Sequence, residues 1–209
     1  ARQRGVRPVM HLSSLTESGQ FDTERGSLVL TDASVQKRLI LEVQQTVLRR
    51  GYAGVDVDFE YLPGTLADAY AAFLSRLRRL LWSQGAFLWA ALAPKTSADQ
   101  PGLLYEGHDY AAVGAAVDAV LLMTYEWGYT YGPPMAVAPL PNVRAVLDYA
   151  VTAIPPQKIL LGIPNYGYDW PLPFLRGTTQ AQSISNEQAI QLALSHNIAI
   201  QYDETAQAP

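Results

Sequence analysis

Gly51-Tyr-Ala-Gly-Val-Asp-Val-Asp-Phe-Glu60 decides how this chain is read, because strand alternation divides it between two chemistries. Successive strand side chains point to opposite faces, so Val55, Val57 and Phe59 fall on one side and Asp56, Asp58 and Glu60 on the other. The β-branched and aromatic residues favour a buried strand. Three acids in a row then line one interior face, where an unpaired carboxylate costs several kcal/mol, so each is expected to be satisfied or used. Two other readings of the same pattern are a solvated acidic face on an edge strand and a hard-cation site. Three acids spaced rigidly along one strand wrap an ion poorly, and no metal or other cofactor is expected.

Outward from this strand the chain alternates helix and strand. Before it, Val35, Leu39, Val43 and Val47 recur every four residues, with Asp32 as N-cap and Arg49, Arg50 and Gly51 at the end, which predicts a helix lying on a sheet. Earlier still, Val6 to Leu12 reads as a strand and the segment through Gly19 and Gly26 as a polar loop. After the acids, Pro63-Gly64 breaks the chain and Thr65 is a candidate cap. Leu66, Tyr70, Phe73, Leu77 and Leu80 or Leu81 then make an amphipathic helix ending near Gly85. Phe87–Ala93, Ala119–Tyr125 and Ile159–Ile163 are apolar runs of strand length. Between them lie helical patterns over Tyr110–Val117 and along Val143, Val146, Leu147 and Val151, the latter ended by Pro155-Pro156. Ser185 and Gln188 form a capping box for a helix with Ile190, Leu192 and Leu194, and Ile198–Tyr202 reads as a further strand.

About five strand–helix units at βαβ spacing predict an α/β fold with a parallel sheet. No glycine-rich phosphate loop follows a strand, and Gly162-Ile-Pro-Asn-Tyr-Gly167 fits neither the dinucleotide nor the P-loop spacing. Polar residues collect instead at strand ends, around Glu60-Tyr61, Pro94-Lys95, Tyr125-Glu126-Trp127 and Tyr166 to Trp170. That distribution favours a (β/α)8 barrel, whose site lies at the C-terminal ends of its strands.

With 209 residues, 49% hydrophobic and 16% charged, the chain can build one sizeable core, and a single domain over 1–209 is expected. Fifteen basic against 19 acidic residues give a net charge of −4 without a basic run, so neither nucleic acid nor a membrane surface is an expected partner. There are no cysteines, which rules out disulfides and thiolate metal sites. His11, His108 and His196 lack metal-ligand spacing and are assigned no role.

Several motifs together resemble glycoside hydrolase family 18, the chitinase-like (β/α)8 TIM barrels. Tyr52-Ala-Gly-Val-Asp-Val-Asp-Phe-Glu60 is similar to the family's fourth-strand signature and Met123-Thr-Tyr-Glu126 to its sixth-strand motif. Phe59-Glu-Tyr-Leu-Pro63, Ala93-Pro-Lys-Thr-Ser97, Tyr125-Glu-Trp-Gly-Tyr129, Gly132-Pro-Pro134 and Tyr166-Gly-Tyr-Asp-Trp170 resemble the bacterial branch with spore-germination, cortex-lytic members. Ala53 stands where the family has its first aspartate, and Glu126 where it has the sixth-strand aspartate. A complete barrel of this kind runs to about 250 residues, so the resemblance implies that this chain is partial, covering about strands 3 to 7 with their helices. Open sheet edges would then favour self-association.

What the resemblance implies is a retaining hydrolase of N-acetylglucosamine glycans such as peptidoglycan, spore cortex or chitin-like oligosaccharides, acting outside the cytoplasm in cell wall or spore envelope. Glu60 is then the general acid, Asp58 orients the substrate's acetamido group, Tyr125 donates a hydrogen bond to that group, and Asp56 supports Asp58. Glu126, Trp127, Tyr166, Asp169 and Trp170 are the expected substrate contacts, with Tyr129 and Tyr131 also placed for stacking on sugar faces and Lys95 a weaker candidate. From the residues themselves, Asp58 and Glu60 lie about 6.5 to 7 Å apart at their α-carbons, close enough to disfavour double ionisation and leave one protonated near neutral pH. The alternative from another class is a carbohydrate-binding protein without catalysis, against which the retained Glu60 argues.

Overall fold

The computed structural model describes residues 2–209. Contacts divide the chain into two units, Ala1–Met123 with Tyr149–Leu160, and Thr124–Asp148 with Leu161–Pro209. The first unit holds most of one five-stranded sheet, ordered as in the sequence: β1 (Val9–Ser13), β2 (Gly54–Asp58), β3 (Phe87–Leu92), β4 (Ala119–Leu122) and β5 (Ile159–Leu161). β1 pairs with β2, β2 with β3 and β3 with β4, all in parallel. Parallel neighbours need crossovers, and helices supply them. α1 (Thr23–Thr31) and α2 (Ala33–Arg50) precede β2, and α3 (Ala67–Trp82) precedes β3. α4 (Leu103–Glu106) and α5 (Tyr110–Ala116) precede β4, and α6 (Leu140–Ala153) precedes β5.

Local chemistry explains these elements. Asp32 caps α2 by accepting hydrogen bonds from the Ser34 and Val35 N–H groups, and the helix ends at Gly51, whose φ of 62° suits a residue without a Cβ. α3 buries Tyr70, Phe73, Leu74, Leu77 and Leu81 completely, matching its sequence stripe with Leu81 as the buried one of the last pair, while Leu66 lies before the helix and is only half-buried. Against this face β2 turns its apolar side: Val55, Val57 and Phe59 are buried, and the Phe59 ring stacks 6.0 Å from Tyr70 and 5.7 Å from Phe73. The helix side of the acidic strand is thus a dry aromatic layer.

Several elements differ from the sequence reading. The segment read as a polar loop contains α1, capped by Asp22, and Gly26 lies inside it because the helix packs tightly there: an added Cβ would sit 3.1 Å from Leu62. Thr65 does not cap α3; it lies in a 3-10 turn, Gly64–Leu66, that runs straight into the helix. On α6 the buried positions are Val146 and Ala150, while Val151 is 48% exposed, so the apolar stripe is rotated by one residue. Ile198–Tyr202 forms no strand, and Ile198, Ile200 and Tyr202 are all exposed.

In the second unit, Tyr166 to Trp170 is not simply a loop. β6 (Tyr166–Asp169) pairs antiparallel with β7 (Gln182–Ser185), and β7 leads into α7 (Asn186–Ser195). The expected capping box is present at that junction, with Ser185 and Gln188 each satisfying the other's backbone N–H. Among the described residues no helix is long and apolar enough to cross a membrane.

One close approach fixes the loop that follows the acids. Gly107 has an ordinary φ of −74°, yet a Cβ there would lie 2.4 Å from Leu62 Cβ and 2.6 Å from the Leu62 carbonyl oxygen. Gly107→Ala is therefore expected to destabilise the protein by about 1–3 kcal/mol through overpacking alone. Gly167→Ala, where nothing lies within 4 Å, serves as the control in urea denaturation. Equal midpoints for the two variants would show that the Leu62 loop yields freely.

Candidate active site

β2 ends at Asp58, and Glu60 follows two residues on, near enough for the charge of Asp58 to act on it. Phe59, between the two acids, is pinned from behind by His108. The Ala93 N–H donates to His108 Nδ1 at 3.0 Å, which leaves Nε2 to carry the proton and donate to the Phe59 carbonyl oxygen at 2.9 Å. His108 is fully buried, and burial pushes its imidazole down to about 4, so it stays neutral and keeps this tautomer. Tyr110 extends the clamp by donating to the Ala93 carbonyl at 2.6 Å and accepting from the Lys95 N–H at 2.9 Å. Lys95 is buried too, and its Nζ donates to the carbonyls of Ala98 and His108. This buried ammonium is used to hold backbone, and burial lowers its proton affinity. On the other side of Glu60, Tyr61 adopts φ 55°, a left-handed conformation that costs a non-glycine residue on the order of 1 kcal/mol.

The acids are therefore held where water is scarce. Asp58 is only 8% exposed, and burial pushes its carboxyl up to about 6; the charge of His11 works against this shift and that of Asp56 with it. Glu60 is half-buried, and burial followed by the charge of Asp58 pushes it up to about 7. Tyr70, beneath them, has its phenol ionisation raised by burial and then by Asp58 and Asp56. Oδ1 of Asp56 and Oδ1 of Asp58 are buried without a hydrogen-bond partner among the described residues. Asp58 thus turns an unused acceptor inward, beside an acid that retains its proton near neutrality.

His11, to which the sequence reading gave no role, belongs to this cluster. Its Nδ1 lies 3.0 Å from Asp56 Oδ2 and its Nε2 3.7 Å from Asp58 Oδ2. No motif marks it, because the pairing of β1 with β2 depends on a register that a crossover of some forty residues hides. His108 was passed over for a different reason: its work is done on backbone atoms, which leave no pattern in side-chain spacing.

The second unit gathers another group of the expected residues. Glu126 has φ 68° and presents its carboxylate to two phenols: Tyr166 donates to Oε1, and the Tyr168 hydroxyl lies 2.9 and 2.8 Å from the two oxygens. Burial, then the bond to Glu126, raises both tyrosines, Tyr168 to about 12, so both remain donors. Trp170 continues the row, its ring 5.7 Å from Tyr168 and its Nε1 donating to the Gly132 carbonyl at 2.9 Å. Tyr168 was missed, although Tyr166, Tyr168 and Trp170 at alternate positions are the period-two signature of a strand face. By the same alternation Asp169 is exposed on the other face of β6, away from Glu126. Trp127 is half-buried, in a loop returned by bonds from its N–H to the Val137 carbonyl and from the Gly128 N–H to the Ala136 carbonyl. Tyr125 is half-buried beside it in the sequence.

A helix-backed parallel sheet with buried acids at one strand end is the chitinase-type α/β arrangement. The chain superposes on a chitinase from Chromobacterium violaceum with TM-score 0.89 and 25% identity, over 98% of this chain and 62% of that one. It superposes on the spore cortex-lytic enzyme SleL of Bacillus megaterium QM B1551 with TM-score 0.94 and 42% identity, over 100% of this chain and 48% of that one. A cortical fragment-lytic enzyme of Bacillus subtilis is 45% identical over 216 residues, which is 97% of this chain and 50% of that protein. The family model of glycosyl hydrolases family 18 matches residues 16–209, and the chain belongs to that family. It spans about half the length of the curated relatives it matches.

Retaining a buried acid should show in stability. Exposed in the unfolded chain, Glu60 titrates near 4.5; folded, near 7. Below about 4.5 it is neutral in both states, and above about 7 the folded state bears the full penalty of its charge, so this residue's contribution weakens stability as pH rises between those values. Glu60→Gln removes that dependence. The thermal midpoint of the variant relative to wild type is expected to climb between pH 4.5 and pH 7 and to level off above; a pH-independent difference would show that Glu60 ionises as freely as an exposed acid.

Proposed function

We propose that the complete protein hydrolyses glycans containing N-acetylglucosamine, with Glu60 as general acid and base and the substrate's own acetamido group as nucleophile. The observation that carries this reading is the placement of two carboxyls at the end of β2: Asp58 is buried with an unpartnered Oδ1, Glu60 is half-buried two residues on, and burial pushes both up, Asp58 to about 6 and Glu60 to about 7. Two carboxyls whose environments separate their proton affinities can divide acid and counter-charge between them. Burial raises both carboxyls and the charge of Asp58 raises Glu60 further, so the pair retains a proton near neutral pH.

In the first step Glu60 gives its proton to the glycosidic oxygen as the bond from the anomeric carbon breaks. The acetamido carbonyl oxygen of the same sugar closes on that carbon, forming a cyclic oxazolinium. Enzymes of this family are substrate-assisted exceptions to the usual carboxylate nucleophile. Asp58 stabilises the developing cation, with its unpartnered Oδ1 as acceptor for the acetamido N–H. In the second step water attacks the anomeric carbon from the leaving-group side, Glu60 takes its proton, the ring opens, and configuration is retained. The half-buried Asp56 supports Asp58, and Tyr125 keeps the donor role implied by its motif. In the second unit, Glu126 with Tyr166, Tyr168 and Trp170 offers acceptors, donors and an aromatic face of the kind that contacts sugars.

The relatives named for cortical fragments and spore cortex support peptidoglycan of the spore cortex as the substrate class and the spore envelope as the place of action. The test uses the full-length protein and cortex-derived muropeptides. Glu60→Gln is expected to lower kcat by roughly 10²- to 10⁴-fold with binding retained, since glutamine keeps the shape and cannot give up the proton. Asp58→Asn should be comparably severe and Ala53→Asp mild. Wild-type kcat/KM should peak between about pH 6 and about pH 7, rising as Asp58 ionises and falling as Glu60 does. Turnover that survives Glu60→Gln would contradict the mechanism, and binding without wild-type turnover would make the protein a carbohydrate-binding one.

A further inference from the structure

The reaction just described makes no use of His11, yet this imidazole spans two of the three acids. In the parallel pairing of β1 and β2, His11 stands opposite Asp56 and Ser13 opposite Asp58. Side chains in register on neighbouring parallel strands lie on the same face, so the ring is laid along the acidic row. Its Nδ1 is 3.0 Å from Asp56 Oδ2, and its other nitrogen is 3.7 Å from Asp58 Oδ2. Each of these carboxylates has its second oxygen buried without a partner, so His11 is where each directs its remaining one. Among the described residues, the groups around Asp58 are His11 and Ser13 from β1, Asp56 from β2 and Glu60 two residues beyond its end, with Tyr70 of α3 behind the strand; β3 brings the uncharged Trp89 opposite Asp56. Among them His11 is the one group able to carry positive charge.

We propose that His11 is a positioning residue that pins Asp56 through Nδ1 and, when its second nitrogen also carries a proton, favours the carboxylate form of Asp58 beside Glu60. The inference deepens the hydrolase reading and rests on it for its kinetic consequence. Without the imidazole, Asp56 and Asp58 face each other with like charge alone, and Asp58 holds its proton to higher pH. A neutral Asp58 offers no counter-charge to a developing cation, so the loss appears in turnover and in the acid limb of the pH profile more than in substrate affinity. The directions agree with the charge balance at Asp58, which His11 lowers and Asp56 raises.

Two variants of the full-length protein separate the effects. His11→Ala removes both contacts; His11→Asn retains an amide donor for Asp56 and lacks the second nitrogen and the capacity for positive charge. For His11→Ala, kcat on cortex muropeptides is expected to fall by about tenfold with KM within about threefold of wild type, and the acid limb of kcat/KM to move up by about half a pH unit or more. His11→Asn should recover part of kcat while leaving the limb displaced. A second arm needs no turnover: with 13C-carboxyl aspartate, the Asp58 resonance, assigned by its loss in Asp58→Asn, should titrate at higher pH in both variants. If the wild type hydrolyses nothing, the hydrolase reading fails and this arm still decides the role of His11. An Asp58 titration identical in wild type and His11→Ala, or a lower thermal midpoint with an unmoved acid limb, overturns the proposal.

Discussion

The cost of withholding water from a carboxylate governs the first unit. Asp56, Asp58 and Glu60 stand on one side of a strand whose other side is sealed by Tyr70, Phe73 and the rest of α3. An apolar layer that dense cannot solvate charge from below, so the acids ionise only against a penalty, and that penalty is what displaces Glu60 and Asp58 toward neutrality. Hydrophobic packing behind β2 and proton affinity in front of it are therefore one property of the strand.

Such a site holds its geometry only if the backbone carrying it cannot relax, and the restraints converge on the residue between the two acids. The Phe59 side chain is stacked against two aromatic rings of α3, its carbonyl is taken by a buried neutral histidine, and the chain turns into a left-handed residue one step after Glu60. His108 in turn is fixed by the end of β3 through the Ala93 N–H, and Tyr110 and Lys95 secure that strand end. In the second unit the same economy recurs on a smaller scale, where Glu126 in a left-handed conformation is held by two tyrosines from a short antiparallel ribbon.

Much of this was legible from sequence where one local rule decides the outcome. The α2 caps, the Ser185 capping box and the two faces of β2 each depend on spacing within a few residues, and each is found as expected. What sequence did not reveal depends on relations across long separations. His11 meets Asp56 across 45 residues, and its face is fixed by strand register rather than by any motif around it. The α1 helix was hidden because Gly26, a weak helix former, lies inside it, packed closely against Leu62. The stripe of α6 was misread by one position because Ala150 and Val151 are both apolar and only the packing chooses between them. Ile198 to Tyr202 carries strand-like residues that find no partner strand, a reminder that β-propensity describes a surface to fit and not a conformation.

The central claim is that burial keeps Glu60 protonated near neutral pH, and the most direct measurement is its own titration. With 13C-carboxyl glutamate in the full-length protein, and the Glu60 resonance assigned by its loss in Glu60→Gln, the chemical shift is followed between acid and mild alkali. The account predicts a midpoint near 7. A midpoint near the 4.5 of an exposed glutamate would mean that the acid is solvated after all, and the proton that the proposed mechanism draws on would not be there to give.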